Sequence, residues 1–289
     1  MLNPHIFRAY DVRGRVGVDI NPDVFQQIGR AYGTLLRRRG GRTMAVGQDN
    51  RLSSHALAAG FTAGARAAGV DVVDIGLVTT PILYFATAHW KLDGGATITG
   101  SHNPVDYNGV KMVWAGAAPL SEEEIQMLRT LAERGDLEAG AGGVQARSPR
   151  EDYVATVQRL VSLPRRLRVV ADAGNGVAGL YAPEVLRRIG CDVVELHCES
   201  DGRFPNHLPD PEDPENVVDL QSKVVEVGAD LGVAWDGDAD RVGVVDEHGE
   251  RHEADLILVL LARDLLARRP GEKIVFDVKS SQSLVEEIR

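Results

Sequence analysis

The chain has 289 residues, of which 44% are hydrophobic and 26% are charged, and its formal net charge is −10 at pH 7. This length predicts roughly two domains, each large enough to bury a hydrophobic core. The acidic balance, with a pI near 5.3, argues against nucleic acid or an anionic membrane as a partner. A small anionic substrate would therefore need a local cluster of basic side chains.

The N-terminus and the cysteines bear on the compartment. The first residues lack a basic segment followed by an apolar core, and the longest apolar run covers only residues 256–262. Neither a secretory signal nor a membrane span is predicted. Cys191 and Cys198 flank an apolar run without a metal-ligand or redox spacing, which is typical of packed thiols in a reducing compartment. We expect a cytoplasmic protein.

A strand, helix and strand recur along the chain. Because such an alternation places parallel strands beneath helices on both faces, it predicts α/β domains. The fold class is tandem repeated three-layer α/β domains with mixed, mainly parallel sheets, and the third repeat is left unfinished because only 12 residues follow Asp277. The predicted elements are residues 44–49, 53–68 and 69–75 in the first unit, 168–172, 182–189 and 190–196 in the second, and 273–277 in the third.

Three features of the sequence mark the domain boundaries. The Gly/Ala-rich segment 140–143 precedes a predicted helix over residues 151–160. Residues 246–249 are typical of a hairpin turn. Residues 254–268 fit an apolar helix that ends at two arginines and a proline. The predicted domains are 1–147, which carries Ser101, 148–250, which carries the acidic loop, and the incomplete start of a third at 251–289.

Ser101 lies in a motif that indicates nucleophilic chemistry. An apolar, strand-like run ends at Gly100, and an imidazole and an Asn-Pro turn signal follow Ser101 at once. This order predicts that the Ser101 hydroxyl lies on a tight, exposed loop. A serine hydroxyl in that position is a candidate nucleophile.

A second motif lies 135 residues further along the chain. Asp236, Asp238 and Asp240 occupy alternate positions, so their oxygens can turn towards one hard cation. Three close carboxylates would repel one another without such a cation. The motif therefore predicts an Mg²⁺ site, with Arg241 beside it to meet an anion. A serine nucleophile and a carboxylate metal site together indicate phosphoryl transfer.

Together with further segments, these two motifs resemble the α-D-phosphohexomutases, specifically the phosphomannomutase/phosphoglucomutase branch. The resemblance implies a four-domain enzyme that contains a phosphoserine and Mg²⁺ and moves a phosphoryl group between O1 and O6 of a hexose. The present chain is too short to contain all four domains. The segments that carry the resemblance are residues 8–14, 101–111, 172–176, 204–207, 236–241 and 277–279.

The resemblance also implies roles for individual residues. Ser101 would carry the phosphate, one oxygen of which joins Asp236, Asp238 and Asp240 around Mg²⁺, and a hexose 1,6-bisphosphate would act as activator. The choice between glucose and mannose stays open, as does the group that handles the hydroxyl proton. The implied catalytic residues beside Ser101 are His102, Lys111, Arg241 and Lys279, and the implied phosphosugar-binding residues are Arg8, Tyr10, Arg13, Lys111 and Arg241.

An NAD-dependent dehydrogenase is the main alternative. Gly174, Gly176 and Gly179 fit the G-x-G-x-x-G pattern after a strand, and Glu195 follows about 20 residues after the turn, as in dinucleotide-binding units. Asp172 argues against this function, because its charge would approach the pyrophosphate. We favour a tight strand-to-helix turn.

A calcium-binding EF-hand is a second alternative. Asp236, Asp238 and Asp240 match positions 1, 3 and 5 of its loop, and Glu247 matches position 12. Position 6, however, is Arg241, where the loop requires glycine, and both flanks are predicted to be strands.

A metal-dependent serine phosphatase or hydrolase is a third alternative. Adjacent residues of an extended chain point to opposite sides, so we expect His102 to be badly placed to take the Ser101 proton. The G-x-S-x-G elbow is also missing around Ser101.

The unfinished third unit has two expected consequences. The predicted strand over residues 273–278 would present an exposed edge, which favours self-association. A chain without the remaining domains would also turn over poorly, because it would lack the grip on the distal phosphate of the substrate.

Overall fold

The computed structural model describes residues 2–288 of the chain. The strands are β1 Asp11–Arg15, β2 Thr43–Gln48, β3 Asp71–Leu77, β4 Gly94–Ile98, β5 Tyr107–Trp114, β6 Val144–Ala146, β7 Arg168–Asp172, β8 Asp192–Leu196, β9 Leu231–Trp235, β10 Val242–Asp246 and β11 Arg251–His252. The α-helices are α1 Pro22–Arg38, α2 Ser54–Ala67, α3 Thr80–His89, α4 Glu122–Arg134, α5 Arg150–Leu160, α6 Ala182–Arg188, α7 Val218–Val227, α8 Ala254–Arg268 and α9 Gln282–Glu287.

The first sheet has six strands in the order β1-β5-β4-β2-β3-β6. Strands β4, β2, β3 and β6 run parallel, whereas β5 runs antiparallel to both β1 and β4. Helices cover both faces. Met44 and Val46 of β2 pack in the core beneath α1, α2 and α4, and Ala45 between them packs beneath α3, because successive residues of a strand face opposite sides.

The second sheet has five strands in the order β11-β10-β9-β7-β8. Strand β7 lies parallel to β8 and β9, and β10 joins β9 and β11 in antiparallel ladders. Val170, Val224 and Val245 share the small core of this sheet with α7. Both sheets are thus mixed, and the predicted class of tandem α/β layers is confirmed.

The four predicted helices agree with α2, α5, α6 and α8 to within one residue at each end, since their starts and stops have local causes; α1, α3, α4, α7 and α9 were not predicted. The predicted helix over 254–268 coincides with α8, and the predicted helix over 53–68 contains α2. Strands β9 and β10 flank the acidic loop, as expected, so the EF-hand alternative fails on its flanks. No helix within residues 2–288 is both long enough and apolar enough to cross a lipid bilayer.

The predicted strand over residues 273–278 is wrong. This segment has no regular structure, and its side chains include Val275 and Val278, which are 90% and 99% exposed. A strand needs a neighbour to complete its hydrogen-bonded ladder, and the described residues supply none to this segment. The predicted self-association therefore loses its proposed pairing edge.

Candidate active site

The two sheets meet through the loops that follow their parallel strands. Strands β2, β3 and β4 end at Gln48, Leu77 and Ile98, and β7 and β9 of the second sheet end at Asp172 and Trp235. In open α/β sheets, functional side chains gather outside the carboxyl ends of the strands. Here the loops after β4 and β9 bring Ser101 and Asp236 together.

The prediction that the Ser101 hydroxyl is exposed is wrong, because the loop after β9 packs against it and only 2% of the surface of Ser101 is exposed. Its backbone is left-handed with φ of 50°. Its amide donates to the Thr99 Oγ1 at 2.8 Å. Its hydroxyl donates to Asp236 Oδ2 at 2.7 Å. A left-handed conformation is costly for a residue other than glycine, so the surrounding loop must hold Ser101 in it.

Three carboxylates surround a single point beside this hydroxyl. Oxygens of Asp236, Asp238 and Asp240 lie within 4.8 Å of one another. Asp236 and Asp238 are fully buried, and the Oδ1 atom of Asp238 is buried without a hydrogen-bond partner. A buried carboxylate oxygen that lacks a donor is rare, and oxygen ligands at this spacing suit a hard divalent cation. The residues therefore fit the metal that the sequence predicted.

The pKa values of Asp236 and Asp238 are shifted in opposite directions. Burial, together with the nearby Asp238 and Asp240, raises the pKa of Asp236. Burial alone would also raise the pKa of Asp238, but the Lys111 ammonium and its hydrogen bonds hold that pKa below the usual range. The cluster thus gains from a nearby positive charge.

Lys111 supplies that charge from β5, which lies next to the edge strand β1 of the first sheet. Its Nζ lies 2.7 Å from Asp238 Oδ2 and 2.5 Å from Asp240 Oδ2. The residue lies on β5, opposite Asp11 of β1 and Thr97 of β4. Burial opposes the charge of the ammonium, but the two carboxylates outweigh it and raise the pKa of Lys111.

Two further predicted cations, Arg13 and Arg241, pair with carboxylates outside the acidic cluster. Arg13 donates to the carbonyl oxygen of Gly100 at 2.9 Å and pairs with Asp11. Arg241 pairs with Glu212 at 2.7 Å.

Three predicted site residues do not contact the serine or the carboxylates. Arg8 and Tyr10 are exposed in the turn before β1, and Tyr10 is 72% exposed. Lys279 is exposed on the C-terminal segment and pairs with Asp277 at 3.8 Å.

The expectation that His102 points away from Ser101 is wrong. His102 Nδ1 lies 3.1 Å from Ser101 Oγ. The expectation assumed an extended backbone, whereas Ser101 is left-handed, and this conformation turns the two side chains to one side. Burial, and then the positive charge of Arg241, lower the pKa of His102.

Sequence reasoning missed two groups that contact the site. Thr80 donates from Oγ1 to Asp238 Oδ2 at 2.5 Å, and its amide donates to the Asp238 carbonyl at 2.9 Å. Arg51 donates to the Ser101 carbonyl at 2.8 Å. Thr80 and Arg51 each follow the carboxyl end of a parallel strand. The predicted positions of these strand ends could therefore have indicated that both residues lie near the site.

The glycine turn after β7 is filled by the chain itself. A Cβ at Gly174 would lie 3.0 Å from the His207 ring, and a Cβ at Gly179 would lie 2.1 Å from the Cys198 carbonyl oxygen. Asp172 accepts from the amide of Gly174 at 2.9 Å. Close packing therefore explains why glycine occupies these positions, in agreement with the predicted tight strand-to-helix turn.

Two domain models of one protein family match most of the chain. Residues 4–139 match the α/β/α domain I model of phosphoglucomutase/phosphomannomutase, and residues 151–249 match the domain II model. The chain is 45% identical over 97% of its length to a phosphomannomutase/phosphoglucomutase of Pseudomonas aeruginosa. It is 42% identical over 98% of its length to a phosphoglucomutase of Neisseria gonorrhoeae.

A solved structure shows the same fold. The phosphoglucomutase/phosphomannomutase family protein of Burkholderia thailandensis superposes with a TM-score of 0.96 at 42% identity, covering 100% of this chain and 64% of that one. The chain spans 60% of the Pseudomonas relative and 62% of the Neisseria relative. The matches to both domain models, together with this superposition, show that the chain belongs to the phosphoglucomutase/phosphomannomutase family of α-D-phosphohexomutases.

Proposed function

We propose that this chain performs the phosphoserine chemistry of a phosphomannomutase/phosphoglucomutase. Hexose 1-phosphate and hexose 6-phosphate would interconvert through Ser101 and a hexose 1,6-bisphosphate. The observation that carries the proposal is the 2.7 Å hydrogen bond from Ser101 Oγ to Asp236 Oδ2. It places a nucleophilic hydroxyl against a cluster of carboxylates suited to a metal. The names of the relatives support the substrate class.

Asp236, Asp238 and Asp240 would hold Mg²⁺ together with an oxygen of Ser101 or of its phosphate. When bound, the ion supplies positive charge that stabilises the oxygens of the phosphoryl group in transit. The unpartnered Asp238 Oδ1 supports this assignment.

The chain's own residues supply the remaining parts of the reaction. The Ser101 oxygen takes a phosphoryl group from the bisphosphate, and the leaving hydroxyl of the hexose takes up a proton. His102 Nδ1, at 3.1 Å, is placed to accept the proton that Ser101 loses. Lys111, Arg13 and Arg241 carry positive charge around the loop, where the phosphate brings about −1.5 to −2 charges.

The substrate would enter from the exposed side of the loop. Arg8 and Tyr10 are exposed before β1 and are free to contact a phosphosugar. Lys279 lies on an exposed segment and would need to move to take part. We assign the phosphoserine domain to residues 1–147, the metal-binding domain to 148–250 and the start of a third domain to 251–289, in the cytoplasm.

The test is conversion of glucose 1-phosphate to glucose 6-phosphate with Mg²⁺ and catalytic glucose 1,6-bisphosphate. The relatives contain further sequence, and contacts with remote parts of a substrate support turnover. We therefore expect the 289-residue polypeptide to turn over several orders of magnitude more slowly than a full-length relative, on the scale of lost positioning. Ser101→Ala should abolish this residual activity. An equal rate from Ser101→Ala would refute the role of the serine.

A further inference from the structure

Arg51 is a buried cation that no motif in the sequence singled out. Only 3% of its surface is exposed, and it lies in the loop after β2. Its terminal nitrogens donate to four backbone carbonyl oxygens, three in the loop that carries Ser101 and one at the first residue of β5. The acceptors are Ser101 at 2.8 Å, Asn103 at 2.6 Å, Pro104 at 2.7 Å and Tyr107 at 3.0 Å.

Asp49 also binds the loop that carries Ser101. Its carboxylate accepts from the Gly100 amide at 3.0 Å and from the Arg51 amide at 3.0 Å, and it lies 3.4 Å from Arg51 Nε. Asp49 thus satisfies an N–H group of the serine loop, and Arg51 satisfies its carbonyl groups. Buried backbone groups need such partners, and a charged partner makes the hydrogen bonds stronger.

Close packing shows how tightly the guanidinium and the loop fit. A Cβ at Gly100 would lie 2.3 Å from Arg51 Nε and 2.4 Å from Arg51 Cζ. The guanidinium therefore lies directly against the backbone that precedes Ser101. On its other side, Arg51 faces the Phe204 ring at 5.3 Å and forms a β-bridge with Gly202 of the second sheet's loops.

From these contacts we propose that Arg51 is a positioning residue for phosphoryl transfer at Ser101. It does not touch the reacting oxygen. It holds the loop in the conformation, with φ of 50° at Ser101, that directs Oγ at Asp236. This inference rests on the proposed phosphoserine function. A lysine would keep the charge but lose the planar fork that serves several carbonyls at once.

Arg51→Lys tests the inference through three measurements. These are the rate of phosphoryl transfer from glucose 1,6-bisphosphate to the protein, the half-saturating bisphosphate concentration, and amide hydrogen exchange over residues 99–109. Because a misplacement of about 1 Å can cost about 100-fold in rate, we expect a loss of that size in the maximal rate constant. The half-saturating concentration should stay close to the wild-type value, and exchange should accelerate in this loop alone.

Arg66→Lys is the control for losing an arginine hydrogen bond to a backbone carbonyl. Arg66 also donates to a backbone carbonyl, that of Gly142 at 2.9 Å, in a segment that does not contact Ser101. The Arg66→Lys variant should leave unchanged both the rate of phosphoryl transfer to Ser101 and the amide hydrogen exchange over residues 99–109. If Arg66→Lys slows transfer as much as Arg51→Lys does, the loss is a general cost of replacing arginine, and the inference is wrong.

Gly100→Ala perturbs the contact between the Arg51 guanidinium and the serine loop by changing the loop. It replaces Arg51→Lys as the test if that variant does not fold. Its Cβ must displace the guanidinium, so it should show the same slow transfer and fast loop exchange. Wild-type transfer with unchanged exchange in either variant would overturn the inference. If the wild-type chain accepts no phosphate, the proposed function fails, and the exchange measurement alone still decides whether Arg51 holds the loop.

Discussion

Gly237 lies where the metal-binding loop touches the serine loop, and replacing it by alanine should separate the two. A Cβ at Gly237 would lie 2.5 Å from the Ser101 carbonyl oxygen, whereas an ordinary contact begins near 3.4 Å. One loop must therefore move by about 0.9 Å. Since a misplacement of about 1 Å can cost about 100-fold in rate, phosphoryl transfer to Ser101 should fall by that order. Overpacking should also cost about 1–3 kcal/mol of unfolding free energy.

The assay is single-turnover transfer from glucose 1,6-bisphosphate, with urea unfolding measured on the same samples. Gly143→Ala is the control, because a Cβ there meets only Asp71 Oδ1 at an ordinary 3.4 Å. Wild-type transfer by Gly237→Ala would refute the claim that contact between the two loops sets the geometry of the site.

Three further predictions concern the metal, pH and nucleotide binding. Asp238→Asn should weaken Mg²⁺ binding at least about 10-fold in calorimetric titration, because the site loses one charged ligand. Asp23→Asn, at an exposed position, is the control and should leave Mg²⁺ affinity unchanged. Equal affinities for Asp238→Asn and the wild type would contradict the metal assignment. Burial opposes protonation of His207, but its hydrogen bond and charge pairing with Asp172 raise its pKa. Its contribution to stability is therefore complete below the unfolded pKa of about 6.5 and is lost as pH rises through the raised folded value. Urea unfolding should show this loss in the wild type and not in His207→Gln, and identical pH profiles would count against it. NAD at about 1 mM should leave the melting temperature unchanged, and a saturable rise would revive the dehydrogenase alternative.

Local sequence patterns predicted the elements whose causes are local. The predicted helix over 254–268 coincides with α8 and ends where its apolar pattern meets its arginines. The capping box of Ser121 and Glu124 at the start of α4 is an equally local signal, but it was not used and α4 was not predicted. The segment 273–278 was predicted to be a strand because it resembles the first strand of the two earlier repeats. It is not one, because a strand depends on a neighbour that its own sequence cannot specify.

The candidate site likewise has a part that the sequence predicted and a part that it did not. Alternate aspartates predicted a shared cation position, and the structure brings Asp236, Asp238 and Asp240 together. The contacts of Arg51 and Thr80 depend on which strand ends meet in space, so spacing along the chain could not reveal them. His102 was misjudged because the left-handed backbone of Ser101 is imposed by its tertiary contacts.

The most direct test of the central claim is to locate the phosphate. The chain would be incubated with glucose 1,6-bisphosphate and Mg²⁺, and intact mass and peptide mapping would then be measured for the wild type and Ser101→Ala. We expect one added phosphoryl group, on Ser101, that is absent from Ser101→Ala and from samples treated with a chelator. A wild-type chain that stays unmodified, or a phosphate on another residue, would show that Ser101 is not the phosphoryl acceptor.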